Sequence, residues 1–324
     1  MSKRLRDRGE VALLEEIRRL VPARHDVLVG PGDDAAVVRG TARPSLLTTD
    51  AQVEGVHFRR DWLSARELGR RAFHVAASDV AAMGGCVRAV LLAIAAPSEW
   101  PVAELRGVVR GVQAAAESAG AALAGGNLAS ARELSLTVSV LGDAPARPVL
   151  RSGARPGDRL YVTGRLGGAA FGLRLLQRAR SVGGGEVAKR RWRRPTARLD
   201  EGRALATGIA TAMIDLSDGL LVDLTRLAAA SGCRAVVHAE SLPLATPLRA
   251  LDRRAARDVA LAGGEDYELL FTVSPRAEAR LRRLGLRARA TRIGEMVRGR
   301  GVTVVGHTLS GARAHPVGHE HFRR

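Results

Sequence analysis

From Leu134 to Val140 the chain sets Leu134, Leu136, Val138 and Val140 in strict alternation with Ser135, Thr137 and Ser139. A period of two sends successive side chains to opposite faces, so this segment is committed to a β-strand with one buried and one polar face. Helical and strand patterns alternate before it. Leu13, Leu14, Ile17 and Leu20 recur at helical spacing, and 67–83 and 105–118 read as helices. Strands are expected at 26–29, 35–38, 88–95 and 45–49, the last ending at Asp50. A stretch from 142 to 157, rich in Gly, Pro, Asp and Arg, breaks the pattern. The domain boundary is placed there, giving domains at 1–142 and 150–324. Beyond it, strands are expected at 159–162, 212–216, 267–273 and 302–305, with a helix at 220–230 ended by Gly232. Gly183-Gly184-Gly185 and the basic run Lys189 to Arg194 read as a mobile surface loop. Two mixed α/β domains suit 324 residues.

A formal charge of +18 points first to nucleic acid. The basic residues are arginine except Lys3 and Lys189, a bias that reads as genomic base composition and not as a selected patch. Aromatic residues make up 3% of the chain, which leaves few platforms for stacking on bases. Nucleic-acid binding is therefore the rival class and not the preferred one. Glu10, Glu15 and Glu16 interrupt any apolar core of a secretion signal, and the apolar stretch 89–97 falls far short of the ~20 residues that cross a bilayer. A soluble, cytoplasmic protein is expected. Cys86 and Cys233 form neither a disulfide framework nor a zinc-ligand pattern.

Five segments share one peculiarity, acidic residues beside Gly, Ser or Thr at the end of an apolar run. They are Gly32-Asp33-Asp34, Thr48-Thr49-Asp50, Ser78-Asp79, Asp215-Leu216-Ser217-Asp218-Gly219 and Gly263-Gly264-Glu265-Asp266. Each has a bland reading. Ser217 or Asp218 can cap the helix that follows, Asp33-Asp34 can be a solvated turn, and Asp79 can point outward from a helix. Five together need more. Carboxylates at close quarters repel unless a cation lies between them, and hard oxygen ligands are those Mg²⁺ prefers, so more than one metal is expected. Gly30-Pro31-Gly32-Asp33-Asp34-Ala35 formally fits a dinucleotide-binding GxGxxA, but two carboxylates fill the turn and an apolar strand follows in place of a helix. GxxxxGK[ST], HExxH and GxSxG are absent, which leaves P-loop, metallopeptidase and serine hydrolase readings unsupported.

In order and spacing, five stretches resemble the motifs of the thiamine-monophosphate kinase family over nearly the whole chain. They are Gly30 to Ala35, Thr48-Thr49-Asp50 with Glu54-Gly55-Val56-His57-Phe58, Ser78 to Gly84, Asp215 to Leu220, and Gly263-Gly264-Glu265-Asp266-Tyr267-Glu268-Leu269. The resemblance implies an α+β architecture of two mixed α/β domains. An amino-terminal metal- and ATP-binding domain (1–142) would carry a four-stranded sheet with flanking helices and form a barrel across a homodimer. A larger carboxy-terminal α/β domain (150–324) would complete the ATP and substrate cleft. The implied reaction passes the γ-phosphoryl of ATP in line to thiamine monophosphate with Mg²⁺, several ions of it, and potassium as a further candidate. The acceptor phosphate is already ionised, so no general base is required. Positioning and charge neutralisation would dominate.

Carried over position by position, the Mg²⁺ ligands fall on Asp34, Thr48, Thr49, Asp50, Asp79, Asp215 and Asp218, with Asp50, Asp79 and Asp218 as the catalytic set. Gly126, Asn127, Arg151 and Ser217 match nucleotide contacts, and His57, Glu265 and His319 match substrate contacts. Two positions depart from the family. Asn127 stands where the family commonly has a metal-binding Asp, which predicts weaker or altered occupancy of one Mg²⁺. His319 stands where it has a stacking aromatic. The nearest rival is a sister ATP-using enzyme acting on another acceptor. The reactive cysteine such enzymes carry near one terminus has no counterpart here, since the chain ends His-Phe-Arg-Arg and its first cysteine is Cys86.

Overall fold

In the computed structural model the chain divides into two compact units, Met1–Val80 with Gly85–Ala144, and Ala81–Gly84 with Pro145–Arg324. Residues 4–8, 10–29, 36–179, 182–284 and 290–309 are described.

The first unit contains α1 (Glu10–Leu20), the short antiparallel pair β1 (Val27–Val29) and β2 (Val37–Val38), then β3 (Ser45–Val53), α2 (Ala65–Ala82), β4 (Cys86–Ala96), α3 (Val102–Ser118), β5 (Ala122–Ser130) and β6 (Ser135–Asp143). Its main sheet has the order β3-β6-β4-β5, with β4 and β5 parallel and the other pairs antiparallel. The alternation that marks β6 does what it implies: Leu136, Val138 and Val140 are buried beside Val90 and Leu92 of β4. Phe73 of α2 and Val108 and Val112 of α3 are fully buried with them on the covered side. The other face lies open. Leu47 is 78% exposed there, and Leu91 is also exposed.

One expectation shifts, and one strand leaves no signal in the sequence. β3 does not end at Asp50 but runs on to Val53, because β6 offers a continuous partner from Ser45↔Asp143 to Val53↔Ser135. Nine paired residues outweigh the poor strand preference of one Asp. β5 has no periodic signature, since Gly125 and Gly126 dilute its pattern, yet it pairs with β4 along its length.

The second unit holds β7 (Arg159–Val162), α4 (Gly168–Gln177), α5 (Gly185–Arg193), α6 (Leu199–Leu205), β8 (Ala210–Asp215), α7 (Leu220–Ser231), β9 (Arg234–His238), α8 (Arg253–Ala262), β10 (Leu269–Val273), α9 (Glu278–Arg283), β11 (Thr291–Val297) and β12 (Gly301–Val305). The sheet order is β12-β9-β11-β7-β10-β8, and only β12 and β9 run parallel. Both faces are covered. Leu160, Ile214 and Leu270 join Leu224 and Leu227 of α7 in one cluster. Tyr161, Met213 and Phe271, from the intervening positions, join Leu281 of α9 in another. That is why β10 reads as a continuous apolar run and not as an alternation.

Of the expected loop at 183–194, only Gly183 and Gly184 form a turn, and Gly185–Arg193 is helix α5. Ala188 and Trp192, four residues apart, are fully buried, and Glu186 pairs with Lys189 and Arg193 on the outer side. One apolar stripe at helical spacing suffices to dock a short basic helix. No described helix is long and apolar enough to cross a membrane.

Candidate active site

In the first unit, side chains at alternate positions of β3 share the covered face of the sheet, among them Thr48, Asp50 and Gln52. Thr48 Oγ1 donates to Asp79 Oδ2 of α2 at 2.6 Å, so strand and helix bring two of the expected ligands together. Gln52 is 3% exposed and donates from Nε2 to Asp50 Oδ1 at 3.1 Å, while its buried Oε1 has no hydrogen-bond partner. The reverse amide orientation would set Oε1 against a carboxylate. Gln52 therefore fixes the direction of Asp50 at the cost of one unpaired acceptor.

The intervening residues point the other way. Thr49 Oγ1 lies 3.1 Å from Ser139 Oγ on the open face. Asn127 belongs to the row Ala51, Thr137, Ala93, Asn127 on β5, while Asp50 belongs to the row Asp50, Val138, Leu92, Gly126. β3 and β5 are opposite edges of the sheet, so within one chain Asp50 and Asn127 stand about three interstrand spacings, roughly 14 Å, apart. A Cβ at Gly126 would lie 1.9 Å from the Leu92 carbonyl oxygen, which accounts for that glycine by close packing. His57 lies in the turn after β3. Its Nδ1 accepts from Val53 N at 3.0 Å, which leaves the proton of the neutral ring on Nε2. Asp34 and His319 lie outside the described residues.

In the second unit, Asp215 closes β8 and is buried. The ladder to the 263–268 segment continues past the strand: Leu216 N donates to Glu268 O at 2.8 Å, Tyr267 N to Leu216 O at 2.9 Å and Glu265 N to Ser217 O at 2.8 Å. The two acidic motifs are thereby bound to each other. Gly264 is required for this, because a Cβ there would come within 2.4 Å of Ser217 O. Glu265 and Tyr267 both adopt positive φ, 74° and 49°. A non-glycine residue in that region costs about 1–3 kcal/mol, and such strain gathers at functional sites. The side chains around it hold the segment in place. Glu268, 2% exposed, accepts from Thr163 Oγ1 at 2.7 Å and pairs in two-pronged fashion with Arg198. Asp266 accepts from the amides of Gly167 and Ala169 at the start of α4, at 2.6 and 3.2 Å. Burial pushes the Asp266 carboxyl up to about 7 against the pull of those amides.

Neither Ser217 nor Asp218 caps α7. The N-cap is Gly219, and Asp223 reaches back from the first turn to accept from the amides of Asp218 and Gly219, both at 3.1 Å. Asp223 was not singled out by sequence, although an acid in the first helical turn is its visible signal. Gln52 could have been found from its spacing of two from Asp50. Arg151 lies elsewhere: its carbonyl accepts from Ser231 Oγ at 2.9 Å, at the end of α7 opposite to Ser217. Among the described residues no three His, Cys, Asp or Glu side chains gather so as to hold a metal ion. Each unit nonetheless offers oxygen donors of its own, Thr48, Asp50 and Asp79 in the first and Asp215 and Asp218 in the second. Mg²⁺ characteristically takes one or two carboxylates and fills its shell with phosphate oxygens and water, so these residues fit it.

Residues 32–144 match the family described as AIR synthase related protein, N-terminal domain, and residues 155–307 match its C-terminal domain. A thiamine-monophosphate kinase of Mycobacterium tuberculosis is 37% identical over 281 residues, 83% of this chain and 82% of that protein. The crystal structure of thiamine-monophosphate kinase from Stenotrophomonas maltophilia K279a superposes with a TM-score of 0.84 at 37% identity, covering 92% of this chain and 97% of that one. AaThiL complexed with AMPPCP and TMP gives a TM-score of 0.76 at 32% identity, covering 96% and 98%. With identity of this order sustained through both units and the acidic motifs in place, the chain belongs to the thiamine-monophosphate kinase family.

Proposed function

We propose that the chain transfers the γ-phosphoryl group of ATP directly to the phosphate of thiamine monophosphate, giving thiamine diphosphate and ADP. The observation that carries this is the likeness, over 96% of this chain, to AaThiL complexed with AMPPCP and TMP. The two reacting groups are both anionic phosphates, so the protein's task is to hold them in line and offset their repulsion. Thr48, Asp50 and Asp79, with Asp215 and Asp218, are the oxygen donors we assign to Mg²⁺, and Asp34 belongs to the same set. Bound there, Mg²⁺ would neutralise the phosphate charge that builds up during transfer. His57, with its proton on Nε2, suits an acceptor oxygen on the substrate, and Glu265 its cationic part. Gly126, Arg151 and Ser217 are assigned to the nucleotide. Thr49 and Asn127 face away from Asp50, so any contribution of theirs to a metal is separate from that of Asp50.

We assign 1–142 to metal and ATP binding and to dimerisation, and 150–324 to the remaining ATP and substrate contacts. Two copies packed through the open sheet face would cover Leu47 and Leu91 and make a barrel of the two sheets. We place the reaction in the cytoplasm, where ATP is plentiful and thiols such as buried Cys233 persist.

The test is direct. Incubated with ATP, Mg²⁺ and thiamine monophosphate, the protein should yield thiamine diphosphate and ADP, identified by mass, and EDTA should stop the reaction. ATP binding without thiamine diphosphate would transfer the assignment to another acceptor. Gln52→Leu should raise the Mg²⁺ concentration for half-maximal rate about tenfold, since outer-shell partners of ligands carry effects of that size. An unchanged Mg²⁺ dependence would show that Asp50 keeps its orientation without Gln52.

A further inference from the structure

We propose that Arg226 is a resident counter-ion for Asp218, holding that carboxylate while no divalent cation is bound and releasing it when one arrives. This rests on the reading of Asp218 as a metal ligand.

The geometry is asymmetric in a way that separates a fixed group from an exchangeable one. Asp223 is fixed: it is 1% exposed, and its Oδ2 accepts the backbone amides of Asp218 and Gly219, both at 3.1 Å. Its other oxygen, Oδ1, accepts from Arg226 Nη1 at 2.8 Å. The same Nη1 also pairs with Asp218 Oδ2, so a single guanidinium nitrogen bridges two carboxylates. Two acids so close demand positive charge between them. In this chain Arg226 supplies it from one turn further along α7. The Arg226 side chain is itself 44% exposed, against 23% for Asp218. The Asp218 end of this bridge is partly exposed and can open at little cost while Arg226 keeps its bond to buried Asp223, because a surface ion pair contributes only about 0–1 kcal/mol. The carboxylate of Asp223 and the turn it anchors would stay where they are. Asp223 is thus a positioning residue for the Ser217–Gly219 turn, and Arg226 competes with the metal for Asp218.

Competition has a signature that a purely structural role lacks, namely that removing the arginine strengthens cation binding. Mn²⁺ titrated into the full-length chain without nucleotide, with free Mn²⁺ read by electron paramagnetic resonance, measures it. Arg226→Gln should bind Mn²⁺ about two- to fivefold more tightly than the wild type, the range corresponding to release of one partly exposed ion pair. Metal-free Arg226→Gln should melt below the wild type, with saturating Mn²⁺ closing the gap. Arg226→Lys keeps a mobile charge and should stay near wild type in both, which guards against a general folding defect. Unchanged, weaker or undetectable Mn²⁺ binding in Arg226→Gln would overturn the proposal. Asp218→Asn should abolish the gain. If instead Asp218→Asn binds Mn²⁺ as the wild type does, the ligand assignment of Asp218 fails, and the proposal falls with it.

Discussion

Asp50→Ala should lower kcat for thiamine diphosphate formation by about 10³-fold or more, equivalent to some 4 kcal/mol of lost transition-state stabilisation. The size follows from what the side chain can and cannot do. Asp50 sits in β3 and is only partly buried, and its carboxylate is directed by the Gln52 amide rather than locked in an apolar cluster. Its loss removes little packing, so urea unfolding of the variant should stay within about 1 kcal/mol of the wild type. Its loss does remove a hard oxygen donor beside the Thr48–Asp79 pair. A drop in rate without a drop in stability is the pattern of a group that acts on transfer. Wild-type turnover in the variant would take Asp50 out of the site, and an equally large loss of stability would make it a structural residue.

How far the sequence could be read depends on which physical signal each part leaves. β6 was legible because one buried and one open face impose a period of two, and β7 because a short apolar run follows a Gly- and Pro-rich break. β5 was not, since its glycines answer to the neighbouring backbone, as Gly126 does to Leu92, and backbone proximity leaves no hydropathy pattern. α5 was misread for a related reason: charge dominates its composition, while only Ala188 and Trp192 hold it down. The acidic motifs themselves stood out because carboxylates beside glycine are conspicuous in so basic a chain. Their partners did not. Arg198, which meets Glu268 across seventy positions, and Gln52, which looks like any strand residue, acquire their roles only when the chain is folded. Sequence also treats neighbours as equivalents, whereas the pleat of β3 sends Thr48 and Asp50 to one face and Thr49 to the other.

Asp266 allows the electrostatics of the 263–268 segment to be tested apart from catalysis. Burial raises its carboxyl from an ordinary 3.8 to about 7, the amides of Gly167 and Ala169 pull it down, and the nearby charge of Glu268 pushes it up again. Below about pH 4 the group is neutral in both the folded and the unfolded chain. Between about 4 and 7 the unfolded chain has given up the proton that the folded chain still holds, so this group's contribution to stability is lost as the pH rises, and above 7 the loss is complete. Gly167 N and Ala169 N meet different oxygens of Asp266, so Asp266→Asn keeps an acceptor for only one of them, a cost that is the same at every pH, and it cannot ionise. Relative to the wild type, the variant should therefore gain stability from pH 4 to pH 8, by as much as about 4 kcal/mol at 1.36 kcal/mol per unit. The comparison matters because Glu15, Glu16, Asp26 and Glu186 are held below their ordinary values by arginine or lysine neighbours and tilt the pH profile of both proteins the opposite way. Urea midpoints of the two proteins at each pH isolate the one group, and a difference that stays flat would mean the carboxyl ionises as it does in water. A gain of the expected size would instead show that the start of α4 accepts a partly buried acid mainly as a proton-bearing group, next to the strained turn at Glu265 and Tyr267.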